Sequence, residues 1–118
     1  MSHPHRIIES YVHNGRVGVL VEIGLGTAFS AGMPEFKQLA RDLAVQIAAA
    51  PVGSVDELLD QAFVKDTSLT IQQVIGNASR LLGEGIAVIR FVRWDTEPKE
   101  PHVPSPSPAV AARFGKTA

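Results

Sequence analysis

Two runs rich in apolar and β-branched residues, 6–13 and 16–23, meet at Asn14-Gly15. Asn-Gly is the favoured pair for a tight hairpin turn, because a type I′ turn needs positive φ at both central residues. The pattern therefore predicts a β-hairpin. With His13 opposite Arg16, Val12 meets Val17, Ser10 meets Val19 and Ile8 meets Val21. That mostly β-branched face is expected to be the core side. On the other face Glu9 falls opposite Leu20, and Tyr11 lies opposite Gly18, where its ring can cover bare backbone. Ile7, Tyr11 and Leu20 make this second face half-apolar, so it is expected to receive a partner, a second copy of the chain being the one in view.

Period 3.6 takes over downstream. Pro34 suits a first helical turn, where its missing N–H costs nothing. Phe36, Leu39, Ala40, Leu43, Ala44 and Ile47 then recur at i, i+3, i+4, i+7, i+8 and i+11, until Ala50-Pro51 and Gly53 end the helix. Ser54-Val-Asp-Glu57 matches a capping box and starts a short helix to about Asp60. Residues 61–65 read as extended, anchored by Phe63. Thr70-Ile-Gln-Gln73 is a second capping box, backed by the stripe Ile71, Val74, Ile75, Ala78 and Leu82 and stopped by Gly83. Residues 86–94 are β-branched and aromatic enough for a third strand. The fold class expected is α+β: a small antiparallel three-stranded sheet with helices packed on one face. Residues 1–5 are expected to be a flexible N-terminus and 6–97 the core domain. Residues 98–118, opened by Pro98, Pro101, Pro104, Pro106 and Pro108, are expected to be a disordered or polyproline-like tail.

Composition narrows the function classes. Hydrophobic residues make up 45% and charged residues 19% of the 118, ordinary values for a globular protein. A net charge of −1 provides no field for nucleic acid or an anionic membrane. No cysteine is present, which removes disulfide and thiolate chemistry. The opening residues lack the apolar core of a signal peptide, and no run approaches the ~20 residues of a membrane span, so a cytoplasmic protein is expected.

Candidate chemistry is thin. Gly24-Leu-Gly26 follows a strand and precedes a helix, but the third glycine of a dinucleotide fingerprint would fall on Phe29, and the strand comes from a hairpin rather than a βαβ unit. His3, His5 and His13 lack the carboxylate or thiolate partners of a metal-ligand spacing, so no metal is expected. Glu9 and Glu22 are placed on one face of the hairpin without a His or Lys partner. No catalytic group and no cofactor are expected. For Phe29 two readings stand side by side: a core plug beneath the first helix, or a protruding contact for a partner protein.

Three segments carry a resemblance. Tyr11-Val-His-Asn-Gly-Arg-Val-Gly-Val-Leu-Val-Glu22, Glu35-Phe-Lys-Gln-Leu-Ala-Arg-Asp-Leu-Ala-Val-Gln-Ile-Ala-Ala49, and Gln61-Ala-Phe-Val-Lys-Asp66 with Leu82-Gly-Glu-Gly-Ile-Ala-Val-Ile-Arg-Phe-Val-Arg93 are similar to the core, or dimerisation, domain of translation elongation factor Ts. The resemblance implies a nucleotide exchange factor, not an enzyme. It would bind the GDP form of the GTPase elongation factor Tu and speed nucleotide release without holding nucleotide itself. The family loop reads Asn-Cys-Glu-Thr-Asp-Phe-Val-Ala-Arg, with its Asp-Phe pair pushed into the GTPase near the magnesium and phosphates. Here the loop is Gly24-Leu-Gly-Thr-Ala-Phe-Ser-Ala-Gly32, so the resemblance points to Thr27, Ala28, Phe29 and Ser30 as the partner-binding residues. Ala28 stands where the family has Asp, a loss of ~1.5–3 kcal/mol if that carboxylate makes a charge-assisted hydrogen bond. Exchange is therefore expected to be weakened. The alternative is an exchange-inactive paralogue that serves as a protein-interaction or dimerisation module. The family's N-terminal three-helix domain is expected to have no room before Arg6, and its helical insertion is expected to be reduced to residues 51–55.

Overall fold

The computed structural model describes residues 3–96. Its centre is an antiparallel sheet in which β2 (Val17–Leu25) lies between β1 (His5–His13) and β5 (Ala87–Asp95). Helix α2 (Pro34–Ala49) buries its apolar stripe on one side of it, and helix α4 (Ile71–Leu82) packs against α2 to close the same core. The α+β class and the three-stranded sheet covered on one face are as the sequence pattern predicts. Val19, Val21, Ile23 and Leu25 alternate inward along β2, and Phe36, Leu39, Ala40, Leu43, Ala44 and Ile47 meet them from α2.

The hairpin differs from expectation by one residue. Asn14 and Gly15 do adopt positive φ, +53° and +68°, and the Arg16 N–H donates to the His13 carbonyl at 2.9 Å. Pairing resumes only at His13↔Val17, however, so the connection holds Asn14, Gly15 and Arg16. A one-residue change of register exchanges the two faces of a strand. Ile7 and Tyr11 consequently pack toward the core, opposite Ile23 and Val19, while Leu20 points the other way. The expectation that Ile7, Tyr11 and Leu20 share an outer face is corrected. Glu9 pairs with Val21 instead of Leu20 and lies on the opposite face from Glu22. Gly18 is flanked by Val12 and Trp94, not by Tyr11.

The helix ends follow their side chains. Thr70 and Gln73 close the reciprocal capping box of α4, and Gly83 at φ +72° ends that helix in the left-handed region. Helix α3 (Val55–Asp60) starts on Ser54, whose hydroxyl accepts the Glu57 N–H at 3.1 Å; the Glu57 carboxylate reaches Gly53 N rather than Ser54 N.

A small second sheet, β3 (Ala62–Phe63) with β4 (Asp66–Thr70), keeps only the centre of the extended stretch expected over 61–65, since Val64 and Lys65 turn the chain into a strand that the polar run 66–70 conceals. It hangs on Gln46, a fully buried amide in α2. The Gln46 Nε2 donates to Gln61 Oε1 and to the Ala62 carbonyl, while its Oε1 accepts from Val64 N. The expected tail, residues 98–118, lies outside the described residues.

Candidate functional site

Where β2 ends, the chain reverses through a single helical turn, α1 (Ala28–Ala31), before entering α2. Thr27 caps it in extended conformation, its Oγ1 accepting the Ser30 N–H at 3.2 Å. Gly32 N returns to the Phe29 carbonyl at 3.1 Å and Met33 N to the Ser30 carbonyl at 3.0 Å, so α2 begins at once with Pro34 in its first turn. The turn sorts its side chains sharply. Ser30 is 5% exposed and faces inward, whereas Phe29 is 80% exposed. Of the two sequence readings, the core plug is excluded: Phe29 projects.

Glu84 braces this turn from the far end of the sequence. Its Oε1 accepts from Gly26 N at 2.8 Å and Thr27 N at 3.0 Å; its Oε2 accepts from Thr27 Oγ1 at 3.0 Å and Ser30 Oγ at 2.7 Å. The Ser30 hydroxyl is the main cause holding the Glu84 carboxyl below its ordinary value; burial opposes it, and the Thr27 and Gly26 donors add to it. Glu84 follows Gly83, whose left-handed turn swings the chain from α4 toward β5. Sequence reasoning did not find this residue. It lies 54 to 58 positions from the groups it holds, and no local periodicity signals so distant a pairing.

The same bonds dispose of the glycine motif. Phosphate-binding loops offer free backbone N–H groups to the ligand. Here the Gly26 and Thr27 amides are already committed to a carboxylate. His13 is likewise engaged, Nδ1 with Tyr11 Oη at 2.9 Å and Nε2 with Asn14 Nδ2 at 3.2 Å.

Of the expected site residues, Thr27, Ala28, Phe29 and Ser30 stand together on the turn. The sheet face turned away from the helices carries Ile8, Val12, Leu20, Val92 and Trp94, all exposed, Trp94 to 78%. At one end of that face, Arg90 Nε at 2.6 Å and Arg6 Nη1 at 3.0 Å converge on Glu22, Arg90 being the stronger cause of its lowered pKa. No helix among the described residues is long and apolar enough to cross a membrane.

The described residues thus expose two apolar features, the ring of Phe29 on its braced turn and, separately, the outer sheet face. Comparison with known proteins gives the chain a lineage. Elongation factor Ts from Methylacidiphilum infernorum is 34% identical over 135 residues, covering 77% of this chain and 67% of its own length. The chloroplastic elongation factor Ts of Porphyra purpurea is 33% identical over 135 residues, with 75% of this chain and 61% of the relative covered. That of Desulforamulus reducens is 33% identical, with 75% and 62% covered. The chain belongs to the elongation factor Ts family. It spans about three fifths to two thirds of the length of these relatives. The matched length of 135 exceeds the 118 residues of this chain, so the relatives carry additional residues inside the matched region. No family model matches the chain.

Proposed function

We propose that this chain binds elongation factor Tu through the Phe29 turn and promotes release of GDP in translation elongation, less strongly than a factor that keeps the family Asp. One observation carries the reading: Phe29, the aromatic of the family's Asp-Phe pair, is 80% exposed on an ordered turn. Ala28 and Phe29 supply the contact, and Thr27 and Ser30, tied to Glu84, hold its shape. No bond is made or broken in such a step. A factor that prefers the nucleotide-free GTPase lowers that protein's affinity for nucleotide by the same coupling free energy. The near-neutral charge, −1, suits a protein partner in the cytoplasm rather than nucleic acid or a membrane surface.

The test is GDP release from elongation factor Tu, followed with wild type and with Ala28→Asp. Acceleration by wild type, increased by Ala28→Asp, supports exchange. An inert wild type that gains activity with Ala28→Asp supports the exchange-inactive paralogue instead. Absence of binding by both variants rejects elongation factor Tu as the partner.

A second association is favoured by the outer sheet face. We propose that two copies pair through Ile8, Val12, Leu20, Val92 and Trp94, the set that the observed register exposes. Ile7 and Tyr11, being turned to the core, have no direct part in it.

A further inference from the structure

The Phe29 turn is too short to order itself. A helix of four residues makes few internal bonds, and nucleating a first helical turn is unfavourable. Its outward side chains, Ala28 and Phe29, contribute no packing, since both are exposed. Ala31 packs against the core at the end of the turn; the rest of the order has to come from polar contacts, and the Glu84 carboxylate is where the polar groups on both flanks of Phe29 converge. Gly26 N, Thr27 N and Thr27 Oγ1 lie before it and Ser30 Oγ after it.

A carboxylate has about four acceptor sites. All four acceptances by Glu84 fall on these groups, at 2.7 to 3.0 Å. This distinguishes two roles. Glu84 is the acidic group bonded to the turn that lacks an acid at Ala28, and on charge alone it could pass for a substitute that touches the partner. Its occupied oxygens leave nothing to offer a partner, so its role is to position.

We propose that Glu84 is the positioning residue that sets the Phe29 turn in its binding conformation before the GTPase arrives, so that association does not have to order the loop. The inference rests on the elongation factor Tu reading given above. Rigidifying a contact element in its bound shape raises affinity by removing an ordering cost from binding. It should therefore show in the concentration dependence of exchange and leave the rate at saturation alone, since Phe29 still arrives once the complex has formed.

The experiment combines amide hydrogen exchange on the free chain with GDP release from elongation factor Tu titrated with the chain, for wild type, Glu84→Gln, Ser30→Ala and Phe29→Ala. Glu84→Gln keeps size and replaces a charged acceptor by a neutral one. It is expected to speed exchange at the Gly26 and Thr27 amides and to raise the half-saturating concentration about tenfold, with the saturating release rate retained. Ser30→Ala, which removes one of the four donors, is expected to fall between wild type and Glu84→Gln. Phe29→Ala is expected to leave the amides protected while abolishing release.

Unchanged amide exchange in Glu84→Gln overturns the ordering role. Faster amide exchange with an unchanged half-saturating concentration makes Glu84 merely structural and overturns the positioning role. A fall in the saturating rate at constant half-saturation does the same, because it places Glu84 in the exchange step itself. If wild type does not act on elongation factor Tu, the functional reading falls, and with it the positioning role; the amide exchange then still decides whether Glu84 orders the turn.

Discussion

Arg93, on β5, donates from Nε to the carbonyl oxygen of Ile47 at 3.1 Å, so a strand side chain completes the last turn of α2. The reason lies in the sequence. The helical donor for that carbonyl would be the N–H of residue 51, and residue 51 is proline. Arg93 also donates to the Ala48 carbonyl at 3.0 Å and pairs with Asp95 at 3.3 Å, with only 11% of its side chain exposed. Arg93→Met keeps the apolar stem and removes these donors. It is expected to cost about 2 kcal/mol, read as a lower urea midpoint. Arg93→Lys should recover only part, because a single ammonium cannot fork across two carbonyls and a carboxylate. A midpoint for Arg93→Met equal to wild type would remove the cap from the account.

Phe29→Ala is expected to separate folding from function. An exposed side chain changes stability by no more than about 0.5 kcal/mol on removal. Thermal unfolding should be nearly unchanged, while stimulated GDP release from elongation factor Tu is lost. A large fall in the unfolding temperature would mean that Phe29 packs in solution and is not free for a partner.

Acid should loosen the turn in a defined direction. Glu84 is held below its ordinary value of 4.5, first by the Ser30 hydroxyl. A carboxyl lowered on folding contributes stability that is complete above the unfolded value and is lost as pH falls through the folded one. The NMR shifts of the Gly26 and Thr27 amides should therefore be flat above about pH 5 and move only in more acid solution. Glu84→Gln should abolish that acid limb. Titration of these amides at or above the ordinary value would contradict the arrangement.

Leu20→Glu tests the outer face. It introduces a charge among Ile8, Val12, Val92 and Trp94 without touching the core, since Leu20 is about half exposed. Sedimentation of wild type at high micromolar concentration is expected to give a dimer, and Leu20→Glu a monomer with an unchanged circular dichroism spectrum. A monomeric wild type would reject the pairing.

Helices α2, α3 and α4 were legible because their signals are local: a stripe at 3.6 spacing, a capping Thr70 with Gln73, a stop at Gly83; the four-residue α1 has no stripe and lies in a stretch that reads as a loop. The hairpin was legible as a hairpin, since Asn14 and Gly15 both adopt the positive φ that their turn demands. Its register was not, because whether Arg16 joins the turn or the strand is decided by which face can be buried under α2. That decision moved Ile7 and Tyr11 inward and left Leu20 outside. At the candidate site, Thr27 to Ser30 could be located along the chain, but the direction of Phe29 could not. It depends on Ser30 being drawn inward by Glu84 across 54 positions. Gln46 was hidden for the same kind of reason: at a buried helical position a polar residue looks like an error until the Ala62 carbonyl and the Val64 amide it serves are known.

The three-residue connection of the β1–β2 hairpin has a consequence for how this chain can change length. Inserting or deleting one residue within β2 would trade the inward set Val19, Val21 and Ile23 for the outward set that holds Leu20 and Glu22, and a slip in β1 would likewise trade Ile7 and Tyr11 for Ile8 and Val12. Within the sheet an extra residue has to be taken up by a bulge, as Ile89 is between the pairs Glu22–Arg90 and Ile23–Val88, whereas the joints between elements have no alternation to keep. The sheet arms are therefore the part of this chain least able to change length, and the joints between its elements the part most able to.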